Sequence, residues 1–106
     1  MTIRIKEHSW QARIAARMLR SKNVALVLGR TIHLWGVSRE VFLSDRGWVK
    51  HELAHIQQFK KYGFAKMTFL YLAESIKKGY YHNRFEAEAR DAETKELPIE
   101  ENIHFL

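Results

Sequence analysis

Residues His51-Glu52-Leu53-Ala54-His55 form an H-E-x-x-H array, the segment of this 106-residue chain with the clearest chemistry. On a helix, at about 100° per residue, His51 and His55 stand one turn apart on the same face, so both imidazoles can reach one tetrahedral metal ion. Glu52 falls on the adjoining edge, placed to take a proton from water on that metal, and Zn2+ lowers the pKa of such water toward neutrality. The face shared by the two His also carries Trp48, Phe59 and Tyr62, while Val49, Leu53 and Ile56 make an adjacent apolar stripe. A helix buried on two faces, with its imidazoles among aromatics, argues against idle surface histidines.

Two His leave a catalytic zinc site short of its usual three protein ligands. An H-E-x-x-H-x-x-G-x-x-H extension is absent, because position 58 is Gln and position 61 is Lys. The remaining candidates are Glu86 and Glu88, about thirty residues beyond His55, which is room for one intervening helix. Ala87 and Ala89 beside these acids allow two helices to approach closely. Glu86 also has structural alternatives: Asn83-Arg84-Phe85-Glu86 is spaced as a capping box, and Arg90 lies at i+4 from Glu86. Both acids therefore stay open on the residues alone. His33 reads as a structural or surface imidazole with the cleft as a second option. Tyr80, Tyr81 and His82 precede the proposed ligand and are either packing residues or donors to a developing oxyanion.

These side chains need elements to carry them. Ser9 can cap a helix over Trp10–Arg20, with Ile14, Ala15, Met18 and Leu19 facing inward. Val24–Leu28 and Thr31–Trp35 read as two strands of a hairpin joined at Gly29-Arg30. Val37–Leu43 is ambiguous between a loop and a helical turn. The metal-binding helix spans Gly47–Tyr62, capped by Ser44 or Asp45 and stopped by Gly63. A third helix, Phe64–Lys78, is apolar almost all round and is expected at the centre of the core, with Gly79 ending it. A loop over Tyr80–Asn83 leads to a fourth helix, Arg84–Leu97, ended by Pro98. Ile99–Leu106 is too short to classify. The expected fold is α+β: about four helices with a small sheet beside the active-site helix, as one domain over residues 1–106.

Composition narrows the function classes. The absence of Cys excludes disulfide scaffolds, Cys-ligated metal centres and a Cys nucleophile. It fits a reducing compartment, and with no apolar leader-like run at the amino terminus a cytoplasmic protein is expected. No apolar stretch is long enough to span a membrane. The net charge of +6 is uneven: residues 1–85 hold 16 of the 18 Lys and Arg but 5 of the 12 acids, and the remainder is acidic. No nucleic-acid motif accompanies the basic region, so a solvated basic body is the expected reading and nucleic acid is not the expected partner.

Against this background the chain resembles the gluzincin metallopeptidases, in which H-E-x-x-H is followed on a later helix by a Glu ligand in a Glu-x-x-Ala/Ser-Asp setting. Glu86-Ala87-Glu88-Ala89 matches the first four of those positions, and the resemblance implies Glu86 as the third ligand. Arg90 departs from the pattern, standing where an Asp commonly orients a zinc-bound His; Asp91 and Glu93 are the possible substitutes. The layout over roughly residues 24–93 is similar to the soluble one-domain minigluzincins, to the catalytic cores of membrane-embedded CAAX-prenyl peptidases, and to short bacterial H-E-x-x-H domains of unknown function. In the family an edge strand before the active-site helix pairs with an extended peptide, and Thr31–Trp35 takes that place here.

The expected function is zinc-dependent hydrolysis of a peptide or protein substrate, with His51, His55 and Glu86 holding Zn2+ and Glu52 as general base. A zincin-like metal-binding domain with little or no proteolysis is the alternative, since so short a chain has few elements for specificity pockets.

Overall fold

The computed structural model describes residues 2–95 and 103–106. Strand β1 (Thr2–Lys6) alternates apolar and polar side chains, burying Ile3 and Ile5 and exposing Thr2, Arg4 and Lys6. Helix α1 (Trp10–Leu19) follows, then the hairpin of β2 (Val24–Leu28) and β3 (Thr31–Trp35). The short α2 (Arg39–Ser44) resolves the ambiguous segment as a helix, because the Ser38 side chain accepts from Val41 N at its start. Then come α3 (Arg46–Tyr62), α4 (Phe64–His82) and α5 (Arg84–Ala92), and a final two-residue strand β4 (His104–Phe105). The fold is α+β with a four-stranded mixed sheet in the order β2-β3-β1-β4.

The hairpin pairs antiparallel, whereas β1 runs parallel to both β3 and β4. Insertion of β1 moves β3 to the interior and leaves β2 and β4 as the two edges of the sheet. This corrects the expectation that Thr31–Trp35 is the edge strand. β3 is buried on both faces: Ile32 and Leu34 join the core with Val49, Leu53 and Ile56 of α3, while His33 faces the other way. There its Nδ1 shares a 2.7 Å hydrogen bond with Oγ of Ser9, the residue that caps α1. Burial, and then the charge of Lys6, lower the His33 pKa. His33 is thus a structural histidine joining the sheet to α1. Gly36 ends β3 with φ of 76°, and a Cβ there would fall 2.1 Å from the Lys22 carbonyl oxygen, so only glycine fits.

Two helices sit otherwise than their composition suggests. α1 turns its small residues inward: Ala12 and Ala16 are buried, whereas Ile14, Met18 and Leu19 are exposed. Alanine lets the helix lie close on β2 and β3, and that close approach sets its rotation. α4 is not central. Met67 is its one buried residue, and Phe69 and Ile76 are 71% and 86% exposed. A chain this short cannot surround a 19-residue helix, so α4 packs as an outer arm on α3 and α5. Gly79 breaks its helical backbone as expected, with φ 78° and ψ 168°, and a short second helical piece over residues 80–82 follows the kink.

Helix α5 is shorter than expected, ending at Ala92; residues 96–98, with the expected end of this helix and Pro98, lie outside the described residues. β4 lies on the side of the sheet away from β2. Among the described residues no helix is long and apolar enough to cross a membrane.

The rotation of α1 has a measurable consequence. Ile32→Ala, in the sealed core, should cost about 2–5 kcal/mol in urea unfolding, whereas Ile14→Ala should stay within about 0.5 kcal/mol of the parent. Equal losses at both positions would place Ile14 in the core.

Candidate metal centre

Helix α3 starts where the Asp45 side chain accepts from Trp48 N, and its Val49-Leu53-Ile56 stripe docks on the sheet. That docking fixes the helix rotation and turns His51 and His55 toward α4 and α5. The rings meet edge to face with centroids 5.1 Å apart. Opposite them stands Glu86, buried with 4% exposure. Glu86 Oε1 lies 3.1 Å from His51 Nε2, and Oε2 lies 3.1 Å from His55 Nε2.

One ligand atom from each of His51, His55 and Glu86 lies within 4.8 Å of the others, a group positioned to hold a metal ion. Donors around a tetrahedral zinc, with bonds near 2.0–2.1 Å, stand roughly 3.3 Å apart, so little rearrangement separates this cluster from a ligand shell. Two imidazoles and one carboxylate also form a borderline donor set suited to zinc. Glu88 is not in the group. Its Oε1 accepts from Gln58 Nε2 at 3.0 Å.

Each histidine is held through its far nitrogen. His51 Nδ1–H donates to Glu93 Oε2 at 2.8 Å, and His55 Nδ1–H donates to Gln58 Oε1 at 2.9 Å. These bonds direct both Nε2 atoms toward Glu86, so that Nε2 is the nitrogen each ring would offer a metal. Glu93 therefore takes the orienting role that Arg90 cannot. Arg90 instead donates to the Tyr81 carbonyl at 2.5 Å and stacks over the Tyr81 ring, tying down the turn before α5.

Glu86 is itself positioned from two sides. Buried Asn83 donates to the Tyr71 carbonyl and to Ser75 Oγ of α4, and its Oδ1 accepts from Phe85 N to cap α5. Gln58 Nε2 donates to the Phe85 carbonyl at 3.1 Å, fastening the same turn to α3. With Asn83 alone supplying the cap, the Glu86 carboxylate is free to face the imidazoles. Its Oε2 also accepts from the Tyr71 hydroxyl at 2.6 Å. Gln58 and Tyr71 are site residues that sequence reasoning missed. The i, i+3 spacing of Gln58 from His55 was an available signal. Nothing in the sequence marks Tyr71.

Glu52 is buried at 4% exposure and lines, with His51, a cleft of about 500 Å³. Val24 and Ala25 of edge strand β2, Trp48, Tyr80 and Glu93 also line this cleft. Burial raises the Glu52 carboxyl to a pKa of about 7, against the opposing charges of His55 and His51. Burial pulls His51 down, but its hydrogen bond to Glu86, the charge of Glu52 and the hydrogen bond to Glu93 lift it to about 9. His55 is raised by Glu86 and Glu52 in spite of its burial. Although burial opposes it, the hydrogen bonds from His51 and His55 hold Glu86 well below the usual carboxylate range. Tyr80 is 46% exposed as a residue, yet partial burial of its hydroxyl and the charge of Glu86 raise its pKa; Tyr81 and His82 are exposed.

In the metal-free protein His51 and Glu86 form an ion pair, with the His51 imidazole protonated at neutral pH. The His51 contribution to stability is present below about pH 6.5 and is lost as pH rises through about 9. Metal must displace that proton, so binding has the opposite pH dependence. Thermal melts should show metal-free protein losing stability from pH 6.5 to 9, with the increment from added zinc growing between pH 6 and 8. An increment that shrinks with rising pH would exclude these histidines as ligands. Glu93→Ala should weaken zinc binding by about 10–100-fold in a competition titration, while Asp91→Ala leaves it unchanged, because Asp91 pairs with Lys95. Compared with protein-family models, curated proteins and solved structures, the chain finds no match.

Proposed function

We propose that this chain is a zinc-dependent metallopeptidase of the gluzincin type, acting on a peptide or protein substrate. The observation that carries the reading is the convergence of His51, His55 and Glu86, with His51 and the buried Glu52 carboxylate both on the wall of one cleft. A structural metal site has no need of an extra buried carboxylate at a cleft, whereas hydrolysis needs a base there. Zinc held by the three residues would supply Lewis-acid polarisation of a peptide carbonyl and acidify the attacking water.

The protein groups divide the remaining work. Glu52, with its pKa raised to about 7, takes the proton of the attacking water and delivers it to the departing amine. Glu93 and Gln58 keep the imidazoles aligned. Tyr80 faces the cleft with a hydroxyl that stays protonated, suited to donate to the oxygen that gains charge. β2 borders the cleft as a sheet edge, and an extended peptide laid along it pairs through backbone groups without demanding a particular sequence.

Purified protein should hold about one zinc per chain, and the His51→Ala, His55→Ala double variant should hold none. Glu52→Ala should retain the zinc and lose about 10²-fold or more of peptide hydrolysis. Equal hydrolysis by Glu52→Ala and the parent would remove the enzymatic reading and leave a metal-binding domain.

A further inference from the structure

Helix α1 carries its large apolar residues on the wrong side for a core. Ala12 and Ala16 face the sheet, and at 100° per residue Ile14 points roughly 180° from the direction midway between them. Trp10 and Met18, one turn to either side of Ile14, continue the same outer ridge. The three are 63%, 51% and 80% exposed for Trp10, Ile14 and Met18 respectively. Isolated exposed apolar residues are ordinary, but three in register along a helix crest form a continuous surface. Arg13, Arg17 and Arg20 are exposed on one flank of this ridge, with Arg13 lying over the Trp35 ring. No Asp or Glu occurs between Glu7 and Glu40, so no acid in this segment offsets them.

We infer that α1 is a docking face for an anionic membrane surface, with Trp10, Ile14 and Met18 entering the headgroup–acyl boundary and the arginines engaging lipid phosphates. Charge selects this occupant. A second copy packed ridge to ridge would set two rows of arginine against each other. A nucleic acid would use the arginines and leave the ridge in water. An anionic lipid surface takes both, since tryptophan favours the interface and arginine extends its charged head while burying its stem. Leu19, at the end of the same helix, is part of the cleft wall, so a chain seated this way holds the cleft close to the lipid. Docking does not depend on the proposed hydrolysis, and its test reads no activity.

The test is co-sedimentation of the whole protein with vesicles of phosphatidylcholine alone and of phosphatidylcholine with phosphatidylserine. Binding to the anionic vesicles is expected, at least about tenfold tighter than to neutral ones and weakened by added salt. The Trp10→Ser, Ile14→Ser, Met18→Ser variant changes exposed positions only, and should keep the parent circular dichroism and melting temperature while losing about tenfold or more of the binding. Arg13→Gln, Arg17→Gln, Arg20→Gln should abolish the preference for anionic vesicles. Absence of binding to anionic vesicles overturns the inference, as does binding that survives the ridge variant intact. Self-association or DNA binding that depends on the ridge, without vesicle binding, overturns it as well.

Discussion

A carboxylate removed from water must find compensating charge or hydrogen bonds, and at Glu86 this requirement organises half of the molecule. Its two oxygens face two imidazoles and a phenol, contributed by α3 and α4, while the carboxylate itself belongs to α5. Three helices are therefore tied at one point. Removing either side of such a pair leaves an uncompensated buried charge, a far larger cost than an exposed ion pair would carry. The same pairing leaves the Nε2 atoms and the carboxylate oxygens facing one another, so the condition for folding this corner and the condition for coordinating a cation coincide.

The sheet provides the rigidity that this arrangement borrows. α3 is fixed by Val49, Leu53 and Ile56 against Ile32 and Leu34, so the imidazoles on its other face inherit a defined direction. Asn83 and Gln58 then clamp the start of α5 from opposite sides, through backbone carbonyls and the cap. Size sets the limits of the design. With one sheet and one dominant core, the chain can bury the middle of α3 but leaves the outer faces of α1 and α4 in solvent. What α4 contributes is a pair of tyrosines, one on the third ligand and one at the cleft.

The local part of this design was legible in the sequence. His51, Glu52 and His55 follow from helical periodicity alone, and the small residues around Glu86 and Glu88 marked a close helix contact. Choosing between those acids was not a local matter: it depends on Gln58 engaging Glu88 and on Tyr71 engaging Glu86. Glu93 could be named only beside Asp91, because selecting it requires the rotation of α5 past its last full turn. β1 alternates apolar and polar residues clearly, yet its parallel insertion beside β3 is a long-range pairing, and it was this insertion that moved the sheet edge to β2. Hydrophobicity misled at α1 and α4. Apolar content reports what a helix could bury, while the space available beside the sheet decided that alanine lies inward at α1.

The central claim is that His51, His55 and Glu86 form one metal shell, and anomalous diffraction at the zinc edge from crystals of zinc-loaded protein tests it most directly. The account predicts a single peak at about 2.0–2.1 Å from Nε2 of His51, Nε2 of His55 and a carboxylate oxygen of Glu86. A peak ligated by Glu88 in place of Glu86, or zinc held away from the two histidines, would contradict it.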